Sequence, residues 1–436
     1  SFNAGVTRSS AWRRKTLLAF QRMMREKRGE MCAALKADLN KSPAQAWMTE
    51  LNLVEADIQM ALDHLEEWMQ PKAVGTDIFN LLGGGRSEIH KAPKGVVCLY
   101  GAWNYPFILT LQPLVGIIAA GNCALVKTSS PKYSKHSAEC MLRLCNEYFD
   151  NDTIRFIGGD RYVTQALFKQ RFDHCFLTGS PANGKRLAKA CAEFMTPCTL
   201  ELGGKSPCIV GKACSNMGLA ARRATWGSLL NSGQTCIRPD YNLVHVDRKD
   251  DFLRETLAAI KDFQHGDRAS EFYGRVVNCR AWDRLTALIA AEKSAGRVVR
   301  GGESMDRDDR YIEPTVVDFG EDWEAFKASP IMEDEVFGPI IPIVAYRELD
   351  ECLEFINANE KPLVVHVFTG DQAVADRVLR ETSSGSAAIN DAMTWMNNHD
   401  LPFGGVGNSG SGGAYHGESS FNLFSHHKSV MRKSLF

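Results

Sequence analysis

From Gly95 onward the chain alternates short apolar runs with helix-length amphipathic segments, and this alternation limits the possible folds more than any other feature. Residues 96–100, 123–127, 153–156 and 174–177 read as strands. Helical segments over 113–120, 135–148 and 163–170 separate them. Strands joined through helices imply a parallel sheet clad in helices. Such sheets bind ligands at the carboxyl ends of their strands. Near Pro207 the pattern restarts, with strands over 208–210, 241–246, 340–345 and 364–369. Helices over 219–230, 249–263 and 282–295 accompany them. The expected class is therefore α/β.

The flanks differ. Residues 10–70 carry apolar side chains at helical spacing: Leu17, Phe20, Met24 and Met31, then Val54, Ile58, Leu62 and Leu65. Gly83-Gly84-Gly85 breaks the pattern, and residues 88–91 alternate weakly, as an exposed strand does. The tail is Gly-rich over 404–417 and extended over 424–431. The longest apolar run, 111–126, is interrupted by Gln112, Pro113, Gly121 and Asn122. It reads as a buried helix and a strand, since a membrane span needs about 20 cleaner residues.

Charge and cysteine content narrow the partners. With 51 basic and 52 acidic residues, the chain lacks the basic excess of nucleic-acid or anionic-membrane binders. Its 13 cysteines include no C-x-x-C pair and match no common zinc framework. Reduced thiols and a cytoplasmic location are the simpler expectation. No secretory signal opens the sequence.

Five local patterns carry chemistry. In Asn231-Ser232-Gly233-Gln234-Thr235-Cys236 a cysteine follows a Gly-containing loop. It is either a reactive thiol, which requires access and a stabilised thiolate, or a buried structural cysteine. In Thr199-Leu200-Glu201-Leu202-Gly203-Gly204 a carboxylate sits between leucines, where burial raises its pKa towards that of a general base. The alternative is a solvated loop glutamate. Gly101-Ala102-Trp103-Asn104-Tyr105-Pro106 follows a strand and offers Asn104 as an oxyanion donor, worth about 3 kcal/mol in a transition state. It also reads as a simple turn. Thr178-Gly179-Ser180-Pro181-Ala182-Asn183-Gly184 can present a helix N-terminus to a pyrophosphate, although it is not G-x-G-x-x-G. In Glu333-Asp334-Glu335-Val336-Phe337-Gly338, Glu335 can accept from a ribose diol and Phe337 can face a nicotinamide. An acidic surface turn is the plainer reading.

In this order and spacing the five patterns resemble the aldehyde dehydrogenase superfamily, from about residue 10 to the end. The class 3 branch, of fatty and aromatic aldehyde dehydrogenases, is the most similar. Ala414-Tyr415-His416-Gly417 with Phe424-Ser425-His426 is the most diagnostic stretch. The resemblance implies Cys236 as nucleophile, Glu201 as general base and Asn104 as oxyanion donor. It implies cofactor contacts by Lys127, Ser130, Gly179, Ser180, Gly184, Leu202, Glu335 and Phe337, with no metal. The implied reaction is oxidation of medium- to long-chain or aromatic aldehydes to acids through a Cys236 thioester. Glu201 favours hydrolysis, because members that pass the acyl group to coenzyme A typically lack that glutamate. The rival readings are a cysteine-dependent esterase or thioester hydrolase, and a non-catalytic use of the fold.

The implied fold is a Rossmann-like NAD(P)-binding domain (1–86 and 94–207), a catalytic domain (208–395) and a small β bridging and oligomerisation segment (87–93 and 396–436). A homodimer is expected, with membrane association only through a C-terminal tail beyond Phe436. Some positions depart from the family. Ser130 stands where a glutamate usually repels a 2′-phosphate, and Lys132 adds a cation, so NADP is expected beside NAD. Pro181 and Asn183 alter the adenine side, and Gly412-Gly413 holds an extra glycine. Trp395, Met396 and Phe403 suit an apolar substrate.

Overall fold

The computed structural model describes residues 2–263, 268–412 and 415–435. Gly413 of the extra-glycine run and Ala414 of the diagnostic stretch lie outside the described residues. The segment up to Trp68 is helical for the reason its apolar spacing gives. Ser9 caps the helix Ser10–Glu26 by accepting from Trp12 N–H at 3.2 Å. Leu17, Phe20 and Met24 are fully buried along one face. The helix Asn52–Trp68 buries Val54, Ile58, Leu62 and Leu65 in the same way.

The first sheet has five parallel strands. Chain order runs outward from Val96–Tyr100 through Cys123–Lys127 to Ile154–Ile157. It then returns to the other side with His174–Gly179 and Cys198–Leu202. Tyr100 pairs with both Lys127 and Leu177, so the strand order reverses around this central strand. Its carboxyl end is the natural ligand crevice. The helix Ile108–Ala119, buried at every residue, covers one face. It begins five residues before the expected start at Pro113. The sequence pattern hides this because a proline normally opens a helix; here Glu50 Oε2 accepts from Phe107 and Ile108 N–H and satisfies the helix start instead.

The second sheet has seven strands, ordered Val298–Arg300, Thr315–Asp318, Ile340–Tyr346, Tyr241–His245, Pro207–Val210, Val364–Phe368 and Ser386–Ile389. Only the first pair is antiparallel. Three of these strands were not expected from the pattern. Val298–Arg300 and Ser386–Ile389 are edge strands, and Thr315–Asp318 is only four residues long. A third, antiparallel sheet joins Lys72–Val74, Arg86–Pro93 and Ser425–Arg432, with Ser425 opposite Pro93 and Arg432 opposite Arg86. The last strand falls where the extended tail was expected, and the helix Gly417–Leu423 precedes it. Residues further upstream dock on the first sheet, where Ser411 N–H donates to Leu200 O at 3.1 Å.

Among the described residues no helix is long and apolar enough to cross a membrane. All 13 cysteines are free thiols.

Candidate active site

Cys236 follows a loop forced into an unusual shape. Asn231 (φ 55°), Ser232 (φ 54°) and Gly233 (φ 73°) are consecutive left-handed residues. Each such non-glycine position costs about 1–3 kcal/mol, so the surroundings must hold it. Gln234 does part of this. Its Nε2 donates to Asn231 O and Arg275 O, both at 2.9 Å, and its Oε1 accepts from Val277 N–H at 2.8 Å. Gly233 is required on a second count: a Cβ there would stand 2.2 Å from the Gly338 carbonyl oxygen. The loop thereby lies directly against the segment that carries Glu335 and Phe337.

The Cys236 side chain is half-buried, and its thiol is pushed up to about 12. Burial is the largest cause, followed by the charges of Glu335 and Glu201; the N–H groups of Cys236 and Ile237 pull weakly the other way. Burial and the two carboxyl groups therefore favour the thiol over the thiolate at Cys236.

Glu201 lies on the edge strand Cys198–Leu202, with Leu200 and Leu202 buried on either side. It is 2% exposed. Its Oε2 accepts from Gly405 N–H at 3.2 Å, whereas its buried Oε1 has no partner. Burial raises the carboxyl well above its usual range, as its leucine neighbours suggested. Asn104 sits in the loop after Val96–Tyr100. Its Nδ2 donates to Gln234 O at 3.2 Å, which joins it to the Cys236 loop and leaves one amide hydrogen undirected. Its carbonyl accepts from Asn231 Nδ2 at 2.8 Å. Cys236, Glu201 and Asn104, far apart in sequence, therefore meet at one place.

The residues expected to hold a cofactor surround the carboxyl ends of the first sheet. Gly179 ends its strand, and Ser180 is the exposed N-cap of the helix Pro181–Ala192, its hydroxyl uncommitted to capping. A Cβ on Gly184 would come within 2.7 Å of Leu202 Cδ2, so glycine permits close packing of that helix on the sheet. Lys127 Nζ donates to Thr128 O and Gly159 O, each at 2.8 Å, and keeps one hydrogen for a ligand. Ser130 Oγ accepts only a long bond from Lys132 N–H, at 3.4 Å.

Glu335 has a buried, unpartnered Oε1, and burial raises its carboxyl well above the usual range. A Cβ on Gly203 would stand 2.1 Å from its Oε2. Phe337 is left-handed (φ 47°) and packs edge-on against Trp103 at 5.5 Å. Its strain is held by backbone anchors on both sides. Arg284 donates to Val336 O at 2.6 Å, and Arg238 donates to Gly338 O and Ile340 O. These orphan acceptors and close-packed glycines fit a dinucleotide with a ribose diol at Glu335.

Sequence reasoning assigned no role here to several residues, although Tyr105 and Tyr415 lie in stretches it singled out. Tyr415 is buried and electrostatically coupled to both Glu201 and Cys236. Tyr105 hydroxyl pairs with Thr235 Oγ1 at 2.7 Å. Asp57 and His399, 342 residues apart, are hydrogen-bonded. Lys41 pairs with Glu50 beneath Asn104. A polar residue interrupting a buried helical stripe, as Glu50 and Asp57 do, was the only available signal. Among the described residues no cluster can hold a metal ion.

The chain is similar to known proteins over nearly its whole length. The aldehyde dehydrogenase family model matches residues 5–430. The chain is 40% identical over 443 residues to the dimeric NADP-preferring aldehyde dehydrogenase of Rattus norvegicus, covering 100% of this chain and 93% of that one. It is 40% identical over 437 residues to aldehyde dehydrogenase family 3 member A2 of Pongo abelii, covering 100% and 87%. Substrate-bound Staphylococcus aureus AldH has the same fold, with TM-score 0.94 at 39% identity over 99% of this chain and 92% of that one. The chain belongs to the aldehyde dehydrogenase family.

Proposed function

We propose that this member of the aldehyde dehydrogenase family oxidises apolar aldehydes to carboxylic acids with NAD or NADP, through a thioester on Cys236 that is hydrolysed with help from Glu201. The convergence of Cys236, Asn104 and Glu201 on one crevice carries the reading.

The resting thiol, which is only half-buried, releases its proton to solvent water as the sulfur attacks the aldehyde carbonyl, because burial and two carboxyl groups disfavour a free thiolate. The undirected hydrogen of Asn104 Nδ2 and the Cys236 N–H then face the oxyanion. When bound, the nicotinamide cofactor supplies the hydride acceptor. Ser180, Lys127, Gly184, Leu202, Glu335 and Phe337 would hold it. Glu201 then takes a proton from water as the water attacks the thioester. Its unpartnered Oε1 is the acceptor this requires, and its raised pKa makes it a stronger base than a solvated carboxylate.

Ser130 supports use of NADP beside NAD, because it places no carboxylate against a 2′-phosphate. Phe403, buried at 3% exposure and stacked on Trp395, supports an apolar substrate. A homodimer is supported by the Rattus norvegicus relative, whose name calls it dimeric, and by the open edge strand Ser425–Arg432.

The test is steady-state reduction of NAD and of NADP with straight-chain aldehydes of graded length. Both cofactors are expected to be reduced, with kcat/KM rising with chain length. If neither cofactor is reduced by any aldehyde while a nitrophenyl ester is cleaved, the esterase reading replaces this one.

A further inference from the structure

Lys41 and Glu50 form an ion pair with no exposure at either side chain, Nζ to Oε1 2.7 Å. Lys41 Nζ also donates to the backbone carbonyl of Asn104 at 3.2 Å and lies 3.7 Å from the centre of the Tyr105 ring. The other oxygen of Glu50 accepts from Phe107 N–H at 2.9 Å and Ile108 N–H at 3.3 Å. One buried pair thus grips both ends of the segment 104–108.

A buried ion pair is a weak source of stability. The charges lose their hydration, and apolar residues of the same volume often do as well. What the pair provides is directed bonding to a backbone. The segment it grips is also tied to the nucleophile. The Asn104 carbonyl accepts a second time, from Asn231 Nδ2, and the Asn104 amide donates to Gln234 O. Tyr105 reaches Thr235, the neighbour of Cys236. A displaced oxyanion donor loses most of its effect, because only the aligned amide meets the developing charge.

We propose that Lys41 and Glu50 are positioning residues, which fix the backbone of 104–108 so that the Asn104 amide meets the oxyanion formed at Cys236. The inference rests on the reading of Asn104 as the oxyanion donor given above.

The test replaces both charges together, Lys41→Met with Glu50→Gln, so that an acceptor for Phe107 and Ile108 N–H remains. Three rates are measured: aldehyde oxidation, cofactor-free cleavage of a nitrophenyl ester, and alkylation of Cys236 by iodoacetamide. The first two build an oxyanion and the third does not. Oxidation and ester cleavage should lose about 10- to 100-fold in kcat, a large part of the effect of deleting one donor, with KM changed less than about twofold. Alkylation should keep the wild-type rate. On top of Asn104→Ala the same replacement should cost no more than about twofold, because its effect passes through Asn104.

Losses that multiply with Asn104→Ala, or an alkylation rate that falls with turnover, would overturn the proposal. If the double variant does not fold, Lys41→Arg carries the test. It keeps the charge while moving the donor, and the same separation of turnover from alkylation is expected; equal losses contradict it. A wild type that cleaves the ester but reduces no cofactor defeats the dehydrogenase reading alone, and the ester and alkylation rates still decide the role of the pair. A wild type that does neither overturns both.

Discussion

Two acids share the crevice, and burial works against the charged form of both. For Cys236 the cause is burial beside Glu335 and Glu201, which lifts the thiol to about 12. The reactive thiolate fraction therefore grows with pH throughout the working range. Alkylation of the cofactor-free protein by iodoacetamide should accelerate about tenfold per pH unit between neutral and mildly alkaline pH. A plateau near pH 7 would mean that something in the crevice stabilises the thiolate. Glu201 is raised well above its usual range by burial alone. Its base form appears as pH rises through that raised pKa, so a hydrolysis-limited kcat should climb with pH, through a range above that of a solvated carboxylate. Glu201→Gln removes the base but leaves thiol and oxyanion donor in place. It should slow turnover by about 10²- to 10⁴-fold and let the acyl-enzyme accumulate, visible as an added acyl mass on intact protein. Turnover loss without that adduct would place Glu201 before the thioester, not after it.

At the scale of elements, the crevice is a meeting of loops, and two glycines keep the loops close. Gly233 carries φ 73° and abuts the Gly338 carbonyl. Gly233→Ala should lose about 1–3 kcal/mol from the backbone conformation alone, more with the clash, read by denaturant unfolding. Gly203→Ala drives a Cβ into the Glu335 carboxylate. It should raise the nucleotide KM about tenfold or more, as loss of a charge-assisted contact does, with thiol alkylation unaffected. An unchanged KM would remove Glu335 from the cofactor site. These loops also show what was legible in the sequence. Four of the five strands of the first sheet were readable because each is an apolar run bounded by turn residues, whereas Cys198–Leu202 is broken by Thr199 and Glu201. The helix Ile108–Ala119 was placed too late because its N-terminus is satisfied by Glu50, 57 residues away from Phe107. The short strand Thr315–Asp318 escaped because four residues hold too little periodicity. Glu50 and Asp57 left only a polar interruption in a buried stripe, and nothing in the sequence named their partners: Lys41 is nine residues away and His399 is 342.

At the scale of the whole molecule, the three larger sheets divide the work: one ends at the residues proposed to hold the cofactor, one follows the Cys236 loop, and one stays open. The helix Ile78–Leu82 projects Phe79 (85% exposed) and Leu82 (80% exposed) beside that open sheet. Exposed apolar side chains next to an unpaired strand invite a second copy. Sedimentation should show a dimer, and Phe79→Asp with Leu82→Asp should shift it towards monomer. A wild type that stays monomeric at micromolar concentration contradicts the dimer. The decisive observation concerns turnover itself: formation of reduced nicotinamide from an aliphatic aldehyde, by the wild type and by Cys236→Ala, each at saturating NAD. The wild type should produce reduced cofactor and the carboxylic acid in equal amounts, and Cys236→Ala, folded and still binding nucleotide, should produce neither. Cofactor reduction that survives the loss of the Cys236 sulfur would contradict the thioester route.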